Sequence, residues 1–141
     1  KMGEWIDGAI DSDLCQKGAI DTTAIYRTGP RLLQAEGGTY LCPTIVYCES
    51  MDHPLSNREF LCPYASVVEV PQSDMLNAIG PTLVVSAITK DETFKRQLLS
   101  ASNIERLNLG PISTMKISWD QPHEGNMFEF LYKRRSIGMA A

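Results

Sequence analysis

The sequence predicts an α/β fold: a parallel sheet with crossover helices on both faces, in three layers, preceded by an N-terminal helix and a β-hairpin. Three observations predict it. Strand-like and helix-like segments alternate from Ala65 to Leu109. The run Leu83-Val84-Val85-Ser86-Ala87-Ile88 is apolar or small throughout, as in a strand covered on both faces. A Gly37-Gly38 pair separates two extended runs, as a tight hairpin turn requires.

In chain order, residues 2–16 carry Trp5, Ile6, Ala9, Ile10 and Leu14 at helical spacing, and Gly18 stops the helix. Residues 21–30 hold Thr22, Thr23, Thr28, Gly29 and Pro30 and read as a loop. Arg31-Leu32-Leu33-Gln34 and residues 40–48 form the hairpin arms. Pro43 lacks an amide donor, which puts the second arm at an edge or a bulge. Residues 52–63, with His53-Pro54 and Pro63, form an irregular loop. Ala65-Ser66-Val67-Val68-Glu69-Val70 is a strand ended by Pro71. Ser73 caps a short helix with Met75, Leu76 and Ile79 turned inward. After the strand at residues 83–88, Thr89 or Asp91 caps a helix whose buried stripe is Phe94, Leu98 and Leu99. Residues 104–109 make the last strand. Two successive right-handed crossovers then give a parallel sheet. So few elements cannot cover such a sheet, so residues 1–141 are expected to be one partial domain of a larger unit.

Composition narrows the function. With 13 Lys+Arg against 17 Asp+Glu the net charge is −4, which argues against nucleic acid as partner. The single cluster Lys133-Arg134-Arg135 is too short to change this. No apolar run approaches the ~20 residues that a membrane helix needs. The opening Lys1-Met2-Gly3-Glu4-Trp5 lacks a signal-peptide core and points to truncation. Cys15, Cys42, Cys48 and Cys62 are irregularly spaced and read as reduced thiols of a cytoplasmic protein.

The order of landmarks carries a resemblance. Gly37-Gly38-Thr39-Tyr40-Leu41-Cys42-Pro43-Thr44-Ile45-Val46 is followed by Arg58-Glu59-Phe60-Leu61-Cys62-Pro63. Farther on comes Ile104-Glu105-Arg106-Leu107-Asn108-Leu109-Gly110. This resembles the C-terminal part of the catalytic domain of the aldehyde dehydrogenase superfamily, in a divergent branch. There, a Gly-aromatic-x-x-Pro-Thr strand precedes a Glu-Glu-x-Phe-Gly-Pro loop, and a later strand ends in Asn.

The resemblance implies an NAD(P)-dependent oxidoreductase that converts an aldehyde to a carboxylic acid through a cysteine thioester. It places Glu59 on the glutamate that accepts hydrogen bonds from the ribose hydroxyls of NAD or NADP, a task suited to two carboxylate oxygens. Leu61 falls on a phenylalanine that packs near the nicotinamide; leucine keeps the apolar contact and loses the aromatic face. Cys62 replaces a glycine, and Pro63 matches the closing proline. Asn108 either faces the site from the sheet edge or hydrogen-bonds its own loop. Where the family has Pro-Phe-Gly-Gly, this chain has Trp119-Asp120-Gln121-Pro122-His123-Glu124-Gly125-Asn126, and His123 and Glu124 are candidates to line the substrate entrance.

The sequence contains no Gly-Gln-x-Cys and no G-x-G-x-x-G, so no residue in it is assigned as nucleophile or general base. This piece alone is expected to be inactive. Cys62 is a poor substitute nucleophile, with a carboxylate nearby and no adjacent Lys or His. His53 and His123 lack the spacing of a metal site. The aromatic segment Met127-Phe128-Glu129-Phe130-Leu131-Tyr132 suggests that residues 127–141 join copies into a homo-oligomer, or else fold back on their own core. The competing reading is a non-catalytic oligomerisation or interaction module derived from the same family.

Overall fold

A computed structural model describes residues 1–116. The chain divides into two compact units, Lys1–Pro71 and Gln72–Ala141. The first contains α1 (Met2–Leu14), β1 (Ala19–Asp21), a 3-10 turn (Ala24–Tyr26), β2 (Leu32–Ala35), β3 (Gly38–Leu41), β4 (Thr44–Cys48) and β5 (Tyr64–Val68). In the second lie α2 (Met75–Ala78), β6 (Thr82–Ala87), α3 (Glu92–Ser100) and β7 (Ile104–Leu109). Helices and mixed strands make the class α/β, with small sheets that include antiparallel pairs.

In the first unit β4 lies between β1 and β5. It runs antiparallel to β1, with Ala19 opposite Cys48, and parallel to β5, with Thr44 opposite Tyr64. Alternation along β4 buries Thr44, Val46 and Cys48 and leaves Ile45 exposed. The inward side chains join Ile6 and Ile10 of α1 and Leu55 and Phe60 of the following loop in one apolar cluster. This explains why α1 forms: Ile6 and Ile10, one helical turn apart, supply the stripe that the sheet covers. Trp5, expected in that stripe, is 65% exposed.

The hairpin is β2 paired with β3, and its register, Ala35 opposite Gly38, makes Glu36 and Gly37 the turn corners. Gly37 has φ +93°, a left-handed conformation that a side chain would strain. The expected second arm, residues 40–48, is two strands. Pro43 separates β3 from β4, and these belong to different sheets because proline cannot carry the ladder through. The stretch read as a loop from residue 21 onward is entered by β1, a strand too short to show an alternating pattern.

The second unit is a β-α-β element in which β6 and β7 pair in parallel, Thr82 opposite Ile104 and Ala87 opposite Leu109. Asp91 caps α3 by accepting from the amides of Thr93 (2.8 Å) and Phe94 (3.1 Å). Phe94 and Leu98 are buried, whereas Leu99 is exposed.

Three expectations are corrected here. Among the described residues β5 pairs with β4 and β6 with β7, so the segment through α2 is not a crossover within one sheet. Ser73 does not cap α2: Asp74 holds the cap position without a side-chain bond, and Ser73 donates to Asp74. Finally, β6 is not covered on both faces, since Leu83 is exposed among the described residues.

Candidate functional site

The loop between β4 and β5 is pinned by side chains that bond its backbone. His53 is buried, and its Nδ1 accepts from the Leu55 amide at 3.1 Å. Ser66 donates to the Ser56 carbonyl at 2.7 Å, and Tyr64 donates to the Leu55 carbonyl at 2.7 Å. Burial, aided by the negative charge of Cys48 in its thiolate form and of Asp13, pushes the Tyr64 phenol up to about 12. The hydroxyl therefore stays protonated and a donor. Phe60 is buried edge-on to Tyr64, with centroids 4.9 Å apart at 78°.

Between the buried Phe60 and the exposed Arg58, the chain holds Glu59 out to solvent. Its carboxylate has no hydrogen bond or ion pair among the described residues. It stands on the lip of a cleft of about 200 Å³. Met2, Trp5 and Ile6 of α1 form one wall, and residues 58–61 form the other. Leu61, 82% exposed, divides this cleft from a recess of about 360 Å³ that reaches Tyr40, Cys62 and Pro63. An unpaired acceptor thus stands between apolar surfaces, an arrangement that suits a ligand with a hydroxylated part and a flat apolar part.

Arg58 is drawn to α1, where Nη1 lies 2.5 Å from Oδ2 of Asp13. Its guanidinium also lies over the Phe60 ring, 5.3 Å from the centroid. A second ionic group holds α1 to the segment before β2. The buried Arg31 donates to Asp7 (2.7 Å), Asp11 (3.0 Å) and Asp21 (3.4 Å), and Arg27 also pairs with Asp21. Desolvation of Arg31 favours its neutral form, but the charges of Asp11 and Asp7 outweigh this and raise its pKa. Burial likewise opposes ionisation of Asp21, yet hydrogen bonds from Thr23 and Arg27 hold its carboxyl below the usual range. Nothing local in the sequence reveals these partners, which lie up to 24 residues apart.

Cys62 is half-buried in the recess, and burial pushes its thiol up, with Arg31 acting only in the opposite direction. A thiol held protonated is a weak nucleophile. Cys48 is buried and shifted the same way by burial, and all four cysteines are free. Among the described residues no group of three or more His, Cys, Asp or Glu could hold a metal ion. No helix of the described residues is long and apolar enough to cross a membrane.

Glu59 and Leu61 therefore lie together at one cleft. Asn108 belongs to the second unit, opposite Ser86 on the neighbouring strand, and its amide donates to the Ser86 hydroxyl at 3.2 Å. Ser86 in turn donates to the Ile112 carbonyl at 2.6 Å. His123, Glu124 and residues 127–141 lie outside the described residues. Trp5 and Met2 were missed as cleft residues, Trp5 because its spacing places it in the inward stripe of α1. No protein-family model matches the chain, and no curated protein matches it.

Proposed function

We propose that this chain is part of an oxidoreductase that uses a nicotinamide dinucleotide. Within that class we place it in an NAD(P)-dependent aldehyde dehydrogenase-like enzyme. The observation that carries the reading is the unpaired Glu59 carboxylate on the lip of the cleft beside α1, with Leu61 next to it. The residues present fit the cofactor: a carboxylate accepts from two neighbouring ribose hydroxyls at once, and Leu61 and Trp5 offer apolar surface to a flat ring. When bound, NAD(P) supplies the hydride acceptor for aldehyde oxidation.

The chain's own contribution is orientation. Phe60, buried in the core and anchored against Tyr64, fixes the backbone beside Glu59. A ribose held at Glu59 is thereby fixed in direction, as close and aligned approach of the reacting carbons demands. In this reading the nucleophilic cysteine, the general base and most of the cofactor fold lie outside these 141 residues. The small sheets belong to a larger three-layer α/β/α domain, Asn108, His123 and Glu124 lie near the substrate entrance, and the enzyme is a cytoplasmic homo-oligomer.

A second reading, a non-catalytic interaction module, draws on the exposure of Met2, Trp5 and Leu61 around the same cleft. The two separate on one experiment. The natural protein containing this chain is assayed with a panel of aldehydes and NAD+ or NADP+, alongside its Glu59→Gln variant. The enzyme reading expects aldehyde-dependent formation of reduced cofactor and about a hundredfold loss of kcat/KM in the variant, as misplacement of a reacting group produces. Absence of turnover with every aldehyde, or an unaffected variant, overturns it.

A further inference from the structure

Arg58 and Glu59 are neighbours of opposite charge, both exposed, and a pair between them would occupy the carboxylate that a ligand needs. The structure has them apart. Asp13, whose side chain is only 14% exposed, takes the Arg58 guanidinium at 2.5 Å. The position of Asp13 is not explained by the helix. It stands in the last turn of α1, where a carboxylate meets the negative end of the helix dipole and no basic residue is present. Two other acids of α1 are already matched, Asp7 and Asp11, both with Arg31. Asp7, Asp11 and Asp13 each have a cationic partner, whereas Glu59, beside the loop's arginine, has none among the described residues.

We propose that Asp13 is a positioning residue that sequesters Arg58 and so keeps the Glu59 carboxylate open to ligand hydroxyls. This rests on the reading of Glu59 as the ribose-binding group. Asp13 touches no ligand. It acts by outcompeting Glu59 for the guanidinium, helped by its greater burial and by the Phe60 ring, over which Arg58 rests. Without Asp13 the arginine turns to its sequence neighbour and competes with the ribose. An exposed ion pair can impose a penalty of about fivefold in affinity.

The test uses nicotinamide mononucleotide as probe and reads its affinity for the natural protein containing this chain by titration calorimetry. Asp13→Asn is expected to weaken binding about fivefold, and Asp13→Asn/Arg58→Gln is expected to recover most of that loss. The probe is net anionic, so a general charge effect of removing Asp13 would tighten binding instead. If the parent protein binds, Glu59→Gln loses binding, and Asp13→Asn binds like the parent, the inference is overturned while the Glu59 reading stands.

If the parent protein does not bind the probe, or Glu59→Gln leaves binding unchanged, the ribose reading fails. The ion-pair exchange is then decided without ligand by the NMR cross-peak of the Arg58 Nε–H. The expected result is that Glu59→Gln moves this peak only in the Asp13→Asn background. A peak that Glu59→Gln leaves unmoved in that background overturns the sequestration. The same measurement covers an Asp13→Asn variant that folds poorly, because Asp13→Ala supplies a second background with the same expectation.

Discussion

The two units of the chain solve burial differently. Among the described residues the first hides Ile6, Ile10, Val46, Cys48, Leu55 and Phe60 in one cluster, while the second buries only Phe94 and Leu98 as apolar side chains. A three-stranded sheet closed by a helix has one dry face, and residues of the long loop complete it. Among the described residues, two parallel strands with one helix between them leave apolar side chains exposed, as Leu83, Ile88 and Leu99 show. The difference teaches where a precise site can be built. Glu59 sits next to Phe60, a member of the buried cluster, so its loop inherits the rigidity of the core.

That contrast can be broken by mutation. The largest effects belong to the first unit. Ile10→Ala or Leu55→Ala, each removing a side chain that is 0% exposed, is expected to cost about 2–5 kcal/mol in urea unfolding. Leu83→Ala, on the open strand of the second unit, is expected to change stability by less than about 0.5 kcal/mol. Equal losses at the two places would remove the distinction.

Asp21→Asn comes next, at about 1–3 kcal/mol, because it strips a carboxylate from two arginines, one of them buried. Since the folded-state pKa of Asp21 lies below its ordinary value of 3.8, its contribution is present above that pH. It is lost as the pH falls further through the folded-state value. Stability measured against pH should therefore drop on acidification in the parent protein and drop less in Asp21→Asn.

Tyr64→Phe removes the hydroxyl that holds the Leu55 carbonyl and is expected to cost about 1 kcal/mol near neutral pH. The phenol is raised from 10.0 to about 12, so its stabilisation is complete below pH 10 and disappears as the pH rises toward 12. Alkaline unfolding curves of the parent protein and Tyr64→Phe should converge in that window. The smallest effect is local to the second unit. Asp91→Ala should speed amide exchange at Thr93 and Phe94, the two donors it caps, and leave the exchange of β4 unchanged.

Much of this architecture was legible where the sequence pattern is local. The last strand, Ile104–Leu109, has its expected bounds residue for residue, and Asp91, one of the two expected caps, holds the start of α3. Pairing between strands was not legible. The order strand, helix, strand occurs both before β6 and after it, yet only β6 and β7 pair, and spacing alone carries no information about partners. The Pro43 break was misplaced for a related reason: the proline showed a disturbance in the arm, but not that the next strand joins another sheet. Glu59 stood out only through the motif around it. The groups that arrange its surroundings, Asp13 for Arg58 and Leu55 for Tyr64, lie 45 and 9 residues from their partners and leave no local trace.

The central claim concerns what the Glu59 carboxylate accepts. Its most direct test compares the affinity of nicotinamide mononucleotide with that of its 2′-deoxy analogue, in the parent protein and in Glu59→Gln. If Glu59 grips adjacent ribose hydroxyls, losing one hydroxyl weakens binding about tenfold in the parent protein and much less in the variant, as hydrogen bonds to a charged group require. An equal penalty in both proteins, or none in the parent, would contradict the account.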